Sequence, residues 1–205
     1  MARTPGSRAE TTASALRREA LRLIARHGYA AVSMRQIAAA VGVQVGALYA
    51  YTPDKQSLLY DLLASHMQAL LAAWAEADDP AATADDRLER FVRLHLRFNL
   101  ARPEAVFLSY MELRNLTPDN FARIEAMRRS YEDGLTAILT QGQAEGSMRH
   151  GDVRLTGMAI IAMLTGANTW YREGGRLDRA QIEQEYLTLV RGAVGIPAGA
   201  LAGQA

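Results

Sequence analysis

The stretch that decides the fold is Ser33–Tyr51, which reads SMRQIAAAVGVQVGALYAY. Ser33 is a typical helix N-cap, and the apolar residues after it follow helical spacing until Gly42. A very short second helix is predicted at about 44–51, because the residue before Pro53 is forced out of the helical region. The stretch therefore predicts two helices joined by a tight turn.

The spacing within this stretch is that of a helix-turn-helix unit. Two helices that cross steeply need a small residue at their closest approach and a glycine in the turn, and Ala38 and Gly42 meet those needs. The positions predicted to face the shared core are Ile37, Val41, Val43, Leu48 and Tyr51. An ordinary helical hairpin in a bundle, with Gly42 as its C-cap, is the alternative.

The second helix of such a unit enters the major groove of DNA. The residues predicted to face the groove are Gln44, Val45, Gly46, Ala47 and Tyr49. An amide reads a base edge, small apolar side chains contact a thymine methyl, and a glycine lets the backbone come close. The predicted phosphate contacts are Ser33, Arg35, Tyr49, Tyr51 and Lys55, which would set the register on DNA.

The charge distribution favours a nucleic-acid partner although the 205-residue chain carries a net charge of only +1. Residues 1–64 hold eight basic and four acidic side chains, and the rest of the chain holds 15 basic and 18 acidic ones. The small net charge is therefore the sum of a basic end and a mildly acidic end. Such polarity orients the basic end toward a phosphate backbone.

Several classes of function are disfavoured by what the sequence lacks. The chain has no cysteine, which excludes a disulfide framework and a thiolate zinc site, and a reducing cytoplasm is the expected location. The four histidines show no metal-ligand spacing, and no motif points to catalysis or to nucleotide-phosphate binding by a glycine-rich loop. We predict no metal, no cofactor, no membrane segment and no enzymatic activity.

Helical periodicity runs through nearly the whole chain and predicts an all-α fold of nine helices. The predicted domains are a three-helix DNA-binding domain at 8–54 and a six-helix ligand-binding and dimerisation domain at 55–196. Flexible termini are predicted at 1–7 and 197–205.

The second domain is where an effector is expected to bind. Methionines, aromatics and a few polar groups on inward helix faces suit an apolar ligand cavity, although such residues also form ordinary cores. The predicted ligand-binding residues are Met67, Phe98, Phe107, Tyr110, Met111, Met127, Tyr131, Met163, Asn168 and Trp170. The predicted helix at 153–171 is apolar on nearly all faces, which favours a homodimer through the last two helices over a monomeric bundle.

Residues 12–63 resemble the DNA-binding domain of the tetracycline-repressor (TetR) family. The matching positions are Gly28, Ser33–Ala38, Val41–Val43, Gly46–Tyr49 and Lys55–Leu59. The resemblance implies an all-helical, dimeric, cytoplasmic bacterial regulator with three helices for DNA and about six for ligand and dimerisation. Thr52 departs from the pattern, because an aromatic residue is usual there, and this affects the packing of the third helix on the fourth.

Scattered residues further along the chain resemble the branch of that family that senses acyl-coenzyme A thioesters. They are Arg102–Glu104, Glu112–Arg114, Arg128, Gln143–Gly146 and Trp170–Leu177. This resemblance implies an apolar slot for the acyl chain, adenine stacking on Trp170, and phosphate contacts from Arg128, Arg172 or Arg176. Ordinary solvent-facing arginines are the alternative.

The predicted function is that of a ligand-responsive repressor that binds a palindromic operator as a homodimer. Its two recognition helices would lie about one DNA turn apart, roughly 34 Å. The effector would act through the fourth helix, which links Lys55 to the pocket expected near 67–74. The alternatives are an activator, a drug-responsive repressor of efflux genes, a non-catalytic small-molecule binding protein and an all-α enzyme.

Overall fold

The structure, a computed structural model, describes residues 5–196, and within that range it contains nine α-helices, one 3-10 helix and no strand. The helices are α1 Pro5–His27, α2 Met34–Val41, α3 Val45–Leu48, α4 Lys55–Ala77, α5 Ala84–Leu100, α6 Pro103–Met111, α7 Pro118–Glu145, α8 Val153–Trp170 and α9 Arg179–Ala193. The 3-10 helix, Leu113–Asn115, lies between α6 and α7. The all-α prediction is confirmed. The parts of the predicted flexible termini at 1–4 and 197–205 lie outside the described residues.

Most helices begin and end where local signals place them. The side chains of Thr83, Asp152 and Asp178 each accept a backbone N–H from the first turn of the helix that follows, which stabilises α5, α8 and α9. Helix α1 begins at Pro5, ahead of the domain start predicted at residue 8, and α8 ends at Trp170, one residue before the end predicted at 171.

The chain divides into two compact units that do not coincide with the predicted domains. The first contains the residues up to Gln68 together with Glu104–Glu125, and the second contains Ala69–Pro103 together with the residues from Ala126 onward. Helix α4 contributes its first part to one unit and its last part to the other. The packing thus groups α6 and the start of α7 with the helix-turn-helix.

The first unit is built around the apolar faces of α1 and α4. Helix α1 packs against α2, and α2 packs against α3. The most fully buried side chains of this unit are Ala20, Ile24, Ile37, Leu48, Leu58, Leu59, Leu63, Leu108 and Ile124. The arginines at 17, 18, 22 and 26 of α1 lie on its exposed face. This amphipathic division is what the sequence periodicity predicts.

Helix α5 is the centre of the second unit, where it packs against both α8 and α9. Phe91 stacks on Tyr131 with ring centroids 4.9 Å apart and meets Trp74 edge-on at 5.1 Å. Arg191 of α9 forms a two-point ion pair with Asp85 of α5, at 2.9 and 2.8 Å. Aromatic packing and ion pairs therefore fix the neighbours of α5.

Candidate nucleic-acid interface and effector residues

The start of α2 is set by a reciprocal cap. The Gln36 backbone N–H donates to Ser33 Oγ at 3.3 Å, and the Ser33 backbone N–H donates to Gln36 Oε1 at 2.7 Å. This capping box satisfies donors that the first helical turn leaves unpaired. The predicted N-cap role of Ser33 is confirmed, and its side chain remains exposed beside the turn.

The turn between α2 and α3 depends on Gly42, whose φ of +79° is one that residues with a Cβ rarely adopt. The Gly42 N–H donates to the carbonyl of Ala39 at 3.2 Å, and the Val43 N–H donates to that of Ala38 at 3.0 Å. These bonds terminate α2 and reverse the chain within two residues. Ile37 and Leu48, both fully buried, hold the two helices together.

Helix α3 spans one turn, which is shorter than the predicted 44–51. The N–H groups of Tyr51 and Thr52 both donate to the Leu48 carbonyl, so the chain leaves the helix there in a turn. The prediction that Tyr51 faces inward is wrong, because its side chain is 37% exposed. Thr52 is buried instead, and its hydroxyl donates to the Asp54 carbonyl at 3.0 Å, so a threonine takes the inward place of the expected aromatic.

A continuous exposed surface, which we call the recognition surface, consists of Gln44, Val45, Gly46, Ala47 and Tyr49. Tyr49 is 53% exposed, and a Cβ on Gly46 would meet no atom within 4 Å. Arg35 and Tyr51 are also exposed on the same unit. An exposed helical turn of small residues led by an amide is a shape that the DNA major groove accepts.

Lys55, a predicted phosphate contact, is engaged within the first unit. Its Nζ donates to the Tyr29 carbonyl at 2.5 Å and lies 4.0 Å from the centroid of the Tyr29 ring. Burial lowers the pKa of this amine, and the nearby charge of Glu112 acts in the opposite direction. Lys55 thus ties the start of α4 to the α1–α2 connection, and its contact with DNA stays a prediction.

Buried Glu112, directly after α6, holds the same connection from the other side. One carboxylate oxygen accepts the Tyr29 backbone N–H at 3.1 Å, and the other accepts the Asn115 side-chain amide at 2.5 Å. The Gln56 side chain donates to the Asn115 carbonyl and accepts the Thr117 backbone N–H. We call this cluster the head anchor. In the sequence, Glu112 stood out only as part of a family resemblance. Its role in this cluster was not predicted, because no local pattern indicates a partner 83 residues away.

The predicted effector residues are divided between the two units. Met67, Phe107, Tyr110 and Met111 belong to the first unit, and the other six belong to the second. Met67, Phe98 and Tyr131 are buried, while Met127, Met163 and Asn168 are half-buried. The prediction of an inward face is wrong for Phe107, Tyr110, Met111 and Trp170, which are between 42% and 54% exposed. The buried side chains of α6 are instead Val106, Leu108 and Ser109. They are interspersed along this short helix with the exposed Phe107, Tyr110 and Met111.

A polar cluster in the core of the second unit escaped the sequence analysis. His95 is 2% exposed, its Nδ1 lies 3.1 Å from Tyr131 Oη, and its Nε2 lies 2.9 Å from Thr165 Oγ1. The side-chain amide nitrogen of Asn99 lies 2.8 Å from the same Nε2, so both ring nitrogens of His95 have polar neighbours. The i, i+4 spacing of His95 and Asn99 on an otherwise apolar face was the available signal.

The described part of the chain contains neither a metal-binding cluster nor a membrane-spanning helix. Over 5–196, no group of three His, Asp or Glu residues is placed to hold a metal ion. Among the helices with described residues, none combines the length and the apolar character needed to cross a membrane.

Family models match both halves of this architecture. The model described as "Bacterial regulatory proteins, tetR family" matches residues 16–62, and "Tetracyclin repressor-like, C-terminal domain" matches residues 81–194. The second match alone covers more than half of the chain.

Individual proteins match most of the chain. The HTH-type transcriptional repressor KstR2 of Mycobacterium tuberculosis is 27% identical over 174 residues, covering 84% of this chain and 87% of KstR2. A solved structure of a bacterial regulatory protein in the tetR family from Rhodococcus RHA1 is 30% identical, with a TM-score of 0.86 over 91% of this chain and 98% of that chain. The crystal structure of AibR in complex with isovaleryl coenzyme A and operator DNA has a TM-score of 0.81 over 87% of this chain and 97% of that chain, and at 24% identity this likeness shows the fold alone.

Proposed function

The chain belongs to the tetR family of bacterial regulatory proteins, and from that premise we propose that it is a repressor released from a palindromic operator by an acyl-coenzyme A thioester. As a member of this family it is a DNA-binding transcriptional regulator and not an enzyme. The observation that carries the proposal is the recognition surface: a one-turn helix, fixed by Gly42 and Leu48, that exposes an amide and small side chains. KstR2, a relative over most of the chain, is named a transcriptional repressor.

The DNA-binding step divides the labour between two sets of residues. Gln44 reads a base edge through its amide, and Val45 and Ala47 contact thymine methyl groups. Arg35, Tyr49 and phosphate contacts nearby fix the register on the duplex without reading sequence. The exposure of all five side chains in the protein without DNA supports this assignment.

The homodimer forms through α8 and α9. Large apolar side chains on these two helices lie in solvent in the single chain: Leu155 is 63%, Met158 is 51% and Leu189 is 56% exposed. Burying a side chain of this size contributes about 1.5–3 kcal/mol. Two copies that cover these side chains mutually would present two recognition surfaces to the two halves of a palindrome.

The effector is an acyl-coenzyme A thioester, and it acts by preferring one of two conformations of the dimer. The solved AibR complex contains isovaleryl coenzyme A together with operator DNA, which supports this class of effector. Buried Phe98 and Tyr131, with half-buried Met127 and Met163, supply apolar surface for an acyl chain in the second unit. Helix α4 runs from Lys55 to Ala77 without a break and transmits the change toward the helix-turn-helix. The affinity for DNA then falls by the difference in effector affinity between the two states, about 1–3 kcal/mol.

A binding titration with DNA from upstream of the protein's own gene tests the DNA-binding step. We expect affinity that falls steeply with salt, and a loss of about 1–3 kcal/mol, roughly 5- to 150-fold, for Gln44→Ala on that DNA. Binding to unrelated DNA should hardly change, because the lost contact reads sequence. Gln68→Ala is the matched control, because Gln68 is exposed on α4 and its side chain forms no hydrogen bond with the described residues. Equal losses for the two variants, or no binding at low salt, would overturn this step.

A release assay tests the effector class. The protein–DNA complex is titrated with acyl-coenzyme A thioesters of several chain lengths, with the matching free acids and with planar cationic drugs. We expect release and a raised melting temperature only with the thioesters, because a ligand that binds the folded state stabilises it. Release by the drugs alone would replace this effector class with the drug-responsive one.

A further inference from the structure

The second unit carries an open groove of about 460 Å³ lined by four arginines: Arg90, Arg93, Arg97 and Arg102. Of the predicted effector residues, only Phe98 lines it. The arginine spacing of three and then four residues along α5 places the first three guanidinium groups on one face of the helix. Arg90 and Arg97 are about 10 Å apart along the axis, given a rise of 1.5 Å per residue.

The groove exists because the opposite wall is made of small side chains. Ala73 and Ala77 of α4 are one turn apart and both line the groove. Between them Trp74 is buried and packs edge-on against Phe91, so the large side chain of this segment points into the core. Leu94 and Phe98 of α5 complete an apolar floor below the cationic rim.

Two of the arginines are held in place by one buried carboxylate. Glu183 of α9 is 5% exposed and accepts two hydrogen bonds from Arg97, both at 2.7 Å, while Arg93 lies 3.4 Å from it. Arg93 also pairs with Glu89 at 2.7 Å. The buried pair fixes the guanidinium of Arg97 by one edge, although the side chain as a whole is 64% exposed. A guanidinium has five N–H donors, so a second edge stays available for a ligand.

The other two arginines are less committed. Among the described residues, Arg90 forms one ion pair, with Asp79 at 3.6 Å, in which both side chains are about half exposed. Arg102 lies 3.9 Å over the Phe98 ring and donates to the Phe98 carbonyl at 3.2 Å. An exposed ion pair such as that of Arg90 contributes little to stability. Arg102 uses only one of its guanidinium nitrogens in the bond to the Phe98 carbonyl, so both guanidinium groups have donors to offer an anionic ligand.

The chemistry of the groove matches an extended ligand with more than one phosphate. Planar guanidinium groups bind phosphate oxygens in pairs, and one inorganic phosphate would occupy only part of a rim about 10 Å long. The apolar floor favours a ligand whose phosphates carry an organic group. The volume of the groove, about 460 Å³, lies within the usual range for small-molecule sites.

We propose that this groove binds the phosphate-bearing nucleotide end of the effector, with Arg90 and Arg102 as direct phosphate ligands and Arg97 held ready by Glu183. The assignment rests on the proposed acyl-coenzyme A effector. It differs from what the family resemblance implies, which is phosphate contacts from Arg128, Arg172 or Arg176.

The test compares two double variants of the full-length protein that each remove two positive charges. Arg90→Gln/Arg102→Gln changes the groove, and Arg172→Gln/Arg176→Gln changes two exposed arginines near Trp170. Binding is measured by calorimetry with an acyl-coenzyme A, with 3′-phosphoadenosine 5′-diphosphate and with the free fatty acid. Melting curves establish that both variants are folded.

We expect the groove variant to bind the thioester and the phosphoadenosine diphosphate at least tenfold more weakly, with little change for the free acid. The Arg172/Arg176 variant should bind all three like the wild type. A further variant, Ala77→Leu, keeps every charge and narrows the groove. It should weaken the binding of the two phosphate-bearing ligands.

Other outcomes separate this proposal from the proposed function. If the thioester releases DNA but only the Arg172/Arg176 variant loses affinity, the groove assignment is wrong and the effector class stands. If no thioester binds the wild type, the proposed effector class is wrong. The binding of phosphoadenosine diphosphate then tests whether the groove is a phosphate site. If the wild type then binds phosphoadenosine diphosphate and Arg90→Gln/Arg102→Gln abolishes that binding, the groove is still a phosphate site. If the wild type does not bind phosphoadenosine diphosphate, the groove assignment is wrong.

Discussion

Replacing Glu112 with alanine should destabilise the protein far more than replacing any exposed acid, because Glu112 is the centre of the head anchor. The carboxylate is 5% exposed and accepts one hydrogen bond from the Tyr29 backbone and one from the Asn115 amide. Glu112→Ala leaves two partly buried donors without that acceptor and takes away the negative charge near Lys55.

The size of the effect follows from the number and kind of bonds lost. A hydrogen bond to a charged group contributes about 1.5–3 kcal/mol, and the two bonds share one acceptor group, so a total loss of about 3 kcal/mol is expected. For a chain of this length, each kcal/mol corresponds to about 2–4 °C in melting temperature, which gives a decrease of roughly 6–12 °C. That is a large part of the usual 5–15 kcal/mol of unfolding free energy.

Urea unfolding followed by circular dichroism measures the loss directly. Glu104→Ala is the matched control, since Glu104 is an exposed acid in the first turn of α6, and it should change the unfolding free energy by less than about 1 kcal/mol. Glu112→Gln keeps one acceptor oxygen and should fall between the two. If Glu112→Ala unfolds at the same urea concentration as Glu104→Ala, the head anchor does not contribute to stability and the reasoning is refuted.

Three more predictions test other parts of the molecule. Leu155→Glu should yield monomers in sedimentation experiments and lose operator binding; a stable dimer would rule out Leu155 as part of the interface. Gly42→Ala should lower the unfolding free energy by about 1–2 kcal/mol, because Gly42 has a left-handed backbone conformation. Gly46→Ala should keep or raise the unfolding free energy and still weaken DNA binding, because the added methyl group blocks close approach to the groove. A stability change of the same sign in both variants would contradict this. Burial lowers the pKa of Lys55 from its ordinary 10.5, so the unfolded state holds this proton more tightly than the folded state. The unfolding free energy should therefore rise with pH between the lowered pKa and 10.5. Lys55→Met should remove that rise, and an unchanged pH profile in the variant would show that the rise has another source.

The helix-turn-helix could be predicted because each of its requirements is local. The Ser33 cap, the Gly42 turn and the burial of Ile37 and Leu48 depend on residues within a few positions of one another. The exposure of the recognition surface followed from the same periodicity. The errors lay at the end of the unit: α3 is a single turn, and Thr52 rather than Tyr51 is buried. That choice depends on how the chain enters α4, which periodicity does not describe.

The effector region was predicted less well because apolar residues look alike in a sequence. On α6, with apolar side chains nearly all round, the larger residues Phe107, Tyr110 and Met111 were expected inside, but they lie outside. Periodicity has little power on such a helix. The arginines on α5 were visible in the sequence, yet only the small side chains of α4 opposite them turn that row into a groove.

The sequence by itself determined the all-α class, the nine helices found in residues 5–196 with most of their ends, and the exposure of the recognition surface, because caps, turns and amphipathic spacing act over a few residues. Only the tertiary structure decided which distant groups meet. It placed Glu112 on the backbone of Tyr29, His95 against Tyr131 and Thr165, and Glu183 beside the arginines of α5. Each of these contacts joins groups at least 36 residues apart, and their formation depends on helix packing that no local pattern encodes.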